Sequence, residues 1–236
     1  MPFYYYGFYS GDNGLYTFSL LLLFFGLFLA LFAQIKVKSN FSKYTRVYAN
    51  LTGEEAAKRL LFLNGVGGVD IKPCKGNLTD HFDPRTNTIY LSETVFSKNT
   101  VAAVGIACHE AGHAVQYAKN YSPLKIRNAI IPITRIGSSL CIPLVFLGFL
   151  FSFYPLSLLG VAFFGLSLLF QLITLPVEFN ASKRAMACVK NDALLNGADS
   201  AGVKKILTAA ALTYVAAMVT SLAQFLRLLA LVNRRR

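Results

Sequence analysis

The stretch IGSSLCIPLVFLGFLFSFYPLSLLGVAFFGLSLLFQLITLPV, residues 136–177, contains no charged side chain in 42 positions. A membrane-spanning helix needs about 20 apolar residues, so this run is long enough for two helices. The segment SFYPLS, residues 152–157, interrupts the run near its middle. Its proline favours a tight reversal, because proline lacks the N–H that a helix interior uses. The stretch therefore predicts a membrane hairpin of two helices.

Two further apolar runs flank this hairpin along the chain. Residues 15–33 carry no charge and at about 1.5 Å per residue nearly match a hydrocarbon core of about 30 Å. No lysine or arginine precedes this run and basic residues follow it, which is typical of a membrane anchor and not of a cleavable signal peptide. Residues 206–232 are also long enough to cross, but they include polar side chains and have basic residues at both ends. We therefore expect this last helix to pack against the bundle or to lie at the interface.

The composition agrees with a membrane protein, since 55% of the 236 residues are hydrophobic and 14% are charged. None of the 23 lysines and arginines lies in the first fourteen positions or in the reversal around Pro155. Because basic residues near span ends tend to stay in the cytoplasm, we expect residues 34–135 and those from 178 onward to face it. This topology and attraction to anionic lipid explain the net charge of +12, so we predict no nucleic-acid partner.

The region between the first two membrane segments, residues 34–120, has the mixed character of a small α+β unit. TGEE, residues 52–55, is a capping box that predicts the start of a short helix. Short β-prone pieces follow at 69–71, 78–82 and 88–91, and DPRTN, residues 83–87, predicts a hairpin turn between the last two. An exposed edge of this hairpin can pair with an extended peptide, and a purely structural hairpin is the alternative.

The segment HEAGH, residues 109–113, lies in a helix that is expected to begin at Asn99 or Thr100. Positions four apart share one face of a helix, so His109 and His113 can offer two imidazole nitrogens to one ion. Glu110 can reach a water bound to that ion without being a ligand, take its proton and deliver it to a leaving amine. The alternative is an ordinary amphipathic helix whose histidines hydrogen-bond in a core. It leaves unexplained why two of the three histidines cluster with a glutamate.

A catalytic zinc takes three protein ligands and keeps one position open, so a third ligand must come from elsewhere. Glu178 is the first candidate, because a carboxylate at the membrane edge is costly unless it is paired or binds a cation. Asn180, Ser182 and Arg184 follow at helical spacing and are expected to orient it, and a plain ion pair at a helix start is the alternative. His81, with Asp80 or Asp83 behind it, competes as a third ligand or as a contact for substrate.

Four blocks of the sequence resemble the YugP-type membrane zinc metallopeptidases of bacteria: LTDHFDPRTNTIYLSE, HEAGHAVQ, LPVEFNASKRA and AAALTYVAA, in this order. The resemblance implies an integral-membrane peptidase of the bacterial inner membrane with a zincin-like catalytic unit. It also implies that His109 and His113 bind Zn²⁺ and that Glu110 is the general base.

A more distant resemblance to the HtpX and CAAX-prenyl-protease class bears on the third ligand. In that class a helix after a membrane hairpin supplies a glutamate ligand, which corresponds here to Glu178. Ser182 stands where that class has an aspartate, which weakens the expected support for a histidine ligand. By the same analogy Tyr214 is expected to stabilise the oxyanion, with a core tyrosine as the alternative.

The sequence thus predicts a mostly α integral membrane protein, with three or four membrane helices and a small cytoplasmic α+β unit that carries a β-hairpin. The predicted function is a zinc-dependent endopeptidase that hydrolyses membrane-associated proteins or peptides. A site-2-type intramembrane protease is disfavoured, because residues 136–177 supply no charged ligand. The general base Glu110 disfavours a non-catalytic zinc-binding scaffold. The expected segments are a membrane anchor (1–35), a catalytic region (36–135), a membrane hairpin (136–177), a third-ligand helix and loop (178–205) and an apolar helix with a basic tail (206–236).

Overall fold

The computed structural model describes residues 10–191 and 194–234 of the chain. This part is mostly helical and contains a three-stranded sheet. Four of its helices, α1, α4, α5 and α6, are long and apolar enough to cross a membrane, in agreement with the predicted class. The elements in chain order are α1 (Ser10–Tyr44), α2 (Gly53–Leu63), β1 (Asp70–Cys74), β2 (His81–Asp83), β3 (Thr88–Ser92), α3 (Val101–Ala118), α4 (Ser122–Leu150), α5 (Tyr154–Asn191) and α6 (Gly197–Asn233).

The long helices continue beyond the apolar runs that predict them. α1 extends past residue 33 to Tyr44, and α5 passes from the apolar run through Glu178 to Asn191 without a break. The chain divides into two units: a first unit of residues up to 30, 130–172 and from 216 onward, and a second unit of residues 31–129 and 173–215. The second arm of the membrane hairpin and Glu178 therefore belong to one continuous helix.

In the first unit α4 and α5 form the predicted hairpin. The reversal occupies residues 151–153, and Pro155 lies in the first turn of α5, where a missing N–H costs no helical hydrogen bond. The two helices approach closely, because a Cβ atom on Gly160 would lie 2.7 Å from the Val145 side chain. Glycine at this position thus permits the tight packing of the two arms.

α6 runs antiparallel to α5 within the first unit. The Tyr154 hydroxyl at the start of α5 donates a hydrogen bond to Asn233 Oδ1 at the end of α6, over 3.1 Å. Further along, a Cβ atom on Gly165 would touch the Phe225 ring at 3.4 Å. α6 therefore packs against α5 as far as the α4–α5 reversal, which agrees with the first of the two positions expected for residues 206–232, a helix packed against the bundle. Its length and apolar character are also sufficient to cross a membrane.

The α1 helix has a strongly apolar outer surface. Leu21, Phe24 and Phe28 are 66%, 68% and 67% exposed. Contiguous exposed apolar surface of this kind is unusual for a protein surrounded by water and marks a membrane or protein contact. Lipid chains are the natural neighbours of these side chains.

The second unit holds the mixed α+β region. The capping box of α2 is confirmed: the Thr52 side chain accepts from the Glu55 backbone N–H, and the Glu55 carboxylate accepts from the Thr52 backbone N–H. The Thr100 side chain caps α3 by accepting a hydrogen bond from the Ala103 backbone N–H. α2 packs along α3 around buried small and branched side chains such as Leu60. This apolar contact fixes the position of the HEAGH helix within the second unit.

The sheet has the order β1-β3-β2. β2 and β3 form the predicted antiparallel hairpin, with His81 opposite Tyr90. β1 pairs with β3 in parallel, so β3 is the central strand and its Ile89 is fully buried. The strand predicted at 78–82 is wrong at its start, because Leu78 has a left-handed φ of 56° and the strand begins at His81.

Candidate metal centre

His109 and His113 share one face of α3, as their spacing predicts. Their ring centroids are 4.8 Å apart, with the ring planes nearly perpendicular at 85°. The two side chains are only 13% and 12% exposed. Two imidazoles, one helical turn apart and largely shielded from water, are thus available to a single ion.

A close approach of α3 to α5 brings the third side chain to the histidines. A Cβ atom on Gly112, between the two histidines, would lie 2.9 Å from the carbonyl oxygen of Ala181. Real Cβ atoms do not sit so close to backbone atoms, so only glycine allows this separation of the helices. The contact places the first turns after Pro176 of α5 directly against the HEAGH segment.

Glu178 of α5 lies between the two imidazoles. Its Oε2 atom is 3.3 Å from His109 Nε2 and 3.5 Å from His113 Nε2, and its side chain is 3% exposed. One potential ligand atom from each of these three residues lies within 4.8 Å of the others. The structure therefore brings together the two histidines and the glutamate that the sequence singled out.

The chemistry of this cluster fits a divalent metal ion. Among the described residues Glu178 Oε2 is buried and makes no hydrogen bond, although a buried carboxylate oxygen without a partner is costly. Two imidazole nitrogens and one carboxylate oxygen form a donor set that zinc uses in catalytic sites. A cation held between them satisfies the oxygen that the protein leaves unpaired.

The ionisation of His113 reflects the negative charge around it. Burial lowers its pKa, but the nearby carboxylates of Glu178 and Glu110 outweigh burial, and the pKa is raised above the usual value. A metal ion requires the neutral imidazole, so protons compete for the same nitrogen. The negative charge that attracts a proton here attracts a cation as well.

Ser182 supports His109 from α5. Its Oγ atom lies 3.2 Å from His109 Nδ1, on the side of the ring away from Glu178. When Nε2 of a neutral imidazole is a ligand, Nδ1 carries the proton and donates it to a neighbouring acceptor. The serine is therefore placed to accept the Nδ1 proton of His109.

A chain of amides supports His113. Nδ1 of His113 lies 3.0 Å from Gln116 Oε1, and Gln116 Nε2 donates to Val177 O and to Asn180 Oδ1 at 2.7 and 3.1 Å. Arg184 Nε donates to the same Asn180 oxygen at 2.9 Å. We expected Arg184 to orient Glu178, and in the structure its side chain contacts Asn180 instead. Sequence reasoning missed the role of Gln116. Its only signal is the three-residue spacing after His113.

Two further side chains contact the Glu178 carboxylate. Arg127, near the start of α4, places Nη1 3.5 Å from Glu178 Oε1. The Tyr214 hydroxyl of α6 interacts electrostatically with the same carboxylate. Sequence reasoning missed Arg127, because basic residues are common where helices leave a membrane. The oxyanion role of Tyr214 stays a prediction, and its present contact is with the proposed ligand.

His81 and Asp80 lie in the hairpin and not in this cluster. The His81 ring stacks on Tyr90 at 5.0 Å, and its Nδ1 is 2.8 Å from the Thr79 carbonyl oxygen. Asp80 accepts hydrogen bonds from the Ser92 backbone N–H and hydroxyl at 2.7 and 3.1 Å. Burial raises the pKa of Asp80 although these hydrogen bonds lower it. Both residues thus serve the hairpin in this structure, and a role toward substrate stays a prediction.

Fold and site together define a class: a helical membrane protein whose candidate metal centre is built from two helices. The model of the family described as "Putative neutral zinc metallopeptidase" matches residues 19–233. "Putative membrane protease YugP" of Bacillus subtilis (strain 168) is 45% identical over 202 residues, which cover 84% of this chain and 89% of that protein. The chain belongs to this family of metallopeptidases. No solved structure matches it.

Proposed function

We propose that the protein is a zinc-dependent membrane-bound endopeptidase. The observation that carries the proposal is the convergence of His109, His113 and Glu178, with an unpaired carboxylate oxygen between the two imidazoles. The adjacent Glu110 is the feature that a purely structural zinc site does not need. Family membership supports the same reaction, since the related Bacillus subtilis protein is described as a membrane protease.

The residues have distinct roles in this proposal. The zinc ion would be held by His109, His113 and Glu178. When bound, it would act as a Lewis acid that polarises the scissile carbonyl, and it would lower the pKa of water toward about 7. Glu110 takes the proton of the attacking water and delivers it to the leaving amine as the C–N bond breaks. Tyr214 is proposed to donate a hydrogen bond to the developing oxyanion, for which its hydroxyl must turn away from Glu178.

The hairpin is the proposed binding surface for the substrate backbone. β2 is an edge strand of the sheet, so within the described part of the chain one side of its backbone has no neighbouring strand. It lies against α3, since the Phe82 ring is 5.7 Å from the Tyr117 ring at the end of that helix. An extended peptide that adds to β2 would run beside the HEAGH helix. Peptides and membrane-associated proteins are therefore the proposed substrates.

We propose that the site faces the cytoplasm from the bacterial inner membrane. The distribution of lysine and arginine supports this orientation, because the second unit contains the basic residues that follow the first span. The lipid bilayer is then the main partner of the first unit. A substrate within reach is one that lies near the membrane surface.

The proposal is tested with purified, zinc-loaded protein in detergent, using casein and membrane proteins as substrates. Glu110→Gln is expected to keep zinc and to lose about 10²- to 10⁴-fold in cleavage rate, because it cannot accept the proton. Glu93→Gln, an exposed glutamate, is the matched control and should cleave like the wild type. Equal cleavage by wild type and Glu110→Gln would contradict the mechanism. Zinc binding without any cleavage by the wild type would favour a metal-binding scaffold.

A further inference from the structure

The buried side chain of Gln116 has only one possible orientation. Its Nε2 atom is 2.7 Å from the carbonyl oxygen of Val177, and a backbone carbonyl can only accept a hydrogen bond. The amide NH₂ group must therefore face Val177. Gln116 is fully buried, so no water competes for this contact.

Arg184 independently requires the same orientation. A guanidinium can only donate, and Arg184 Nε is 2.9 Å from Asn180, so the Asn180 atom it meets must be the oxygen Oδ1. Gln116 lies 3.1 Å from this same oxygen and must offer it an N–H. The Arg184 guanidinium, which can only donate, and the Val177 carbonyl oxygen, which can only accept, thus require the same orientation of the Gln116 amide.

This orientation determines which nitrogen of His113 carries a proton. Gln116 Oε1, which can only accept, faces His113 Nδ1 at 3.0 Å, so Nδ1 must be the protonated nitrogen. Acceptors thus face both ring nitrogens of His113, and a metal ion requires the neutral imidazole, which carries one N–H. With that N–H held on Nδ1 by Gln116, the lone pair of Nε2 is left for the ion. Nε2 is the atom that lies beside Glu178.

We propose that Gln116 is a positioning residue that holds His113 in the Nδ1–H tautomer, so that Nε2 is ready to bind the metal. The inference rests on the proposed zinc site and extends it to an amide chain that links α3 to α5. The support is neutral, whereas a carboxylate would add a further negative charge beside Glu110 and Glu178. Gln116 acts through His113 and does not touch the reacting atoms.

The test combines zinc affinity, from competition with a chelator, with ¹⁵N NMR of histidine-labelled protein at a pH where imidazole is neutral. The chain has three histidines, so the side-chain signals are few. Gln116→Met removes all three amide contacts and is expected to weaken zinc binding about 10- to 100-fold. In the zinc-free proteins the fraction of His113 in the Nδ1–H tautomer should be smaller in Gln116→Met than in the wild type, because only the Glu178 acceptor at Nε2 remains. Gln224→Met, in α6 of the first unit, is the matched control and should bind zinc like the wild type.

A second pair of variants protects the test against misfolding of Gln116→Met. Asn180→Asp keeps an acceptor for Gln116 and Arg184 and should retain wild-type zinc affinity, whereas Asn180→Leu removes the acceptor and should weaken it. Equal zinc affinity and an unchanged tautomer in Gln116→Met and Asn180→Leu would overturn the role of Gln116. A wild type that binds no zinc would instead refute the proposed metal site.

Discussion

Gly112 of α3 and Ala181 of α5 are in such close contact that a Cβ atom on Gly112 would lie 2.9 Å from the Ala181 carbonyl oxygen. The pair sets the distance between the helix that carries the histidines and the helix that carries Glu178. Both partners at the contact are backbone, so neither can move aside as a flexible side chain would.

Gly112→Ala is therefore expected to force the two helices apart. Overpacking of this kind costs about 1–3 kcal/mol of folding free energy. It should also draw Glu178 away from the imidazoles and weaken zinc binding. Thermal unfolding and chelator competition measure the two effects. Gly14→Ala, at an α1 position where no atom of the described residues lies within 4 Å of the added Cβ, is the control. Wild-type zinc affinity in Gly112→Ala would show that the close approach is not needed.

The local features of this fold follow from the sequence. The capping box at Thr52, the cap at Thr100 and the hairpin turn depend on neighbours a few residues away, and the structure contains all three. The membrane hairpin follows from the length of the uncharged run. The convergence of Glu178 with His109 and His113 could be anticipated, because few acidic residues compete for the role.

Contacts between distant segments could not be anticipated in the same way. Gln116 meets Val177 and Asn180, which are 61 and 64 positions away, and no periodicity within one helix reveals such partners. The parallel pairing of β1 with β3 has no turn signature. The position of α6 depends on its packing against α5, and its two basic flanks left a helix packed against the bundle and an interfacial helix as alternatives. In each instance packing between segments overrides the local pattern.

Ser182 is expected to orient His109 through the 3.2 Å contact with Nδ1. Ser182→Ala removes the acceptor, so zinc affinity should fall about 10-fold or more. Ser182→Asp supplies a stronger acceptor and should retain zinc binding. Ser138→Ala on α4, which loses only a hydrogen bond within its own helix, is the control. Equal zinc affinity of all four proteins would mean that Ser182 does not support His109.

Metal removal should destabilise the second unit, because the ion links α3 to α5. A ligand that binds only the folded state at 1,000 times its Kd stabilises that state by about 4 kcal/mol. Excess chelator should therefore lower the unfolding temperature of the wild type by several degrees. Glu178→Ala should be insensitive to the chelator. If the chelator leaves the unfolding temperature of the wild type unchanged, no bound metal ion stabilises the contact between α3 and α5.

Asp80 predicts a pH dependence of stability. Burial holds its pKa above the value of an exposed aspartate, so the folded state binds this proton more tightly than the unfolded state. The protonated Asp80 contributes its full stabilisation below the pKa of an aspartate in the unfolded chain, about 3.9. This contribution is lost as the pH rises through the higher pKa of Asp80 in the folded protein. Asp80→Asn keeps an acceptor for Ser92 and does not titrate, so it should gain stability relative to the wild type over this interval.

Unfolding temperatures measured at several pH values test this prediction. Asp70→Asn, at an exposed aspartate paired with Lys72 over 3.0 Å, is the comparison for a surface carboxylate. A constant difference between Asp80→Asn and the wild type at every pH would show that the buried carboxyl does not titrate abnormally.

The central claim is that one divalent cation is held by side chains from two helices, and metal content of the purified protein measures it directly. We expect about one zinc per chain in the wild type, as for other sites with three protein ligands. Glu110→Gln and His81→Ala should retain that zinc, whereas His113→Ala and Glu178→Ala should lose it. Full zinc content in Glu178→Ala, together with its loss in His81→Ala, would contradict the account.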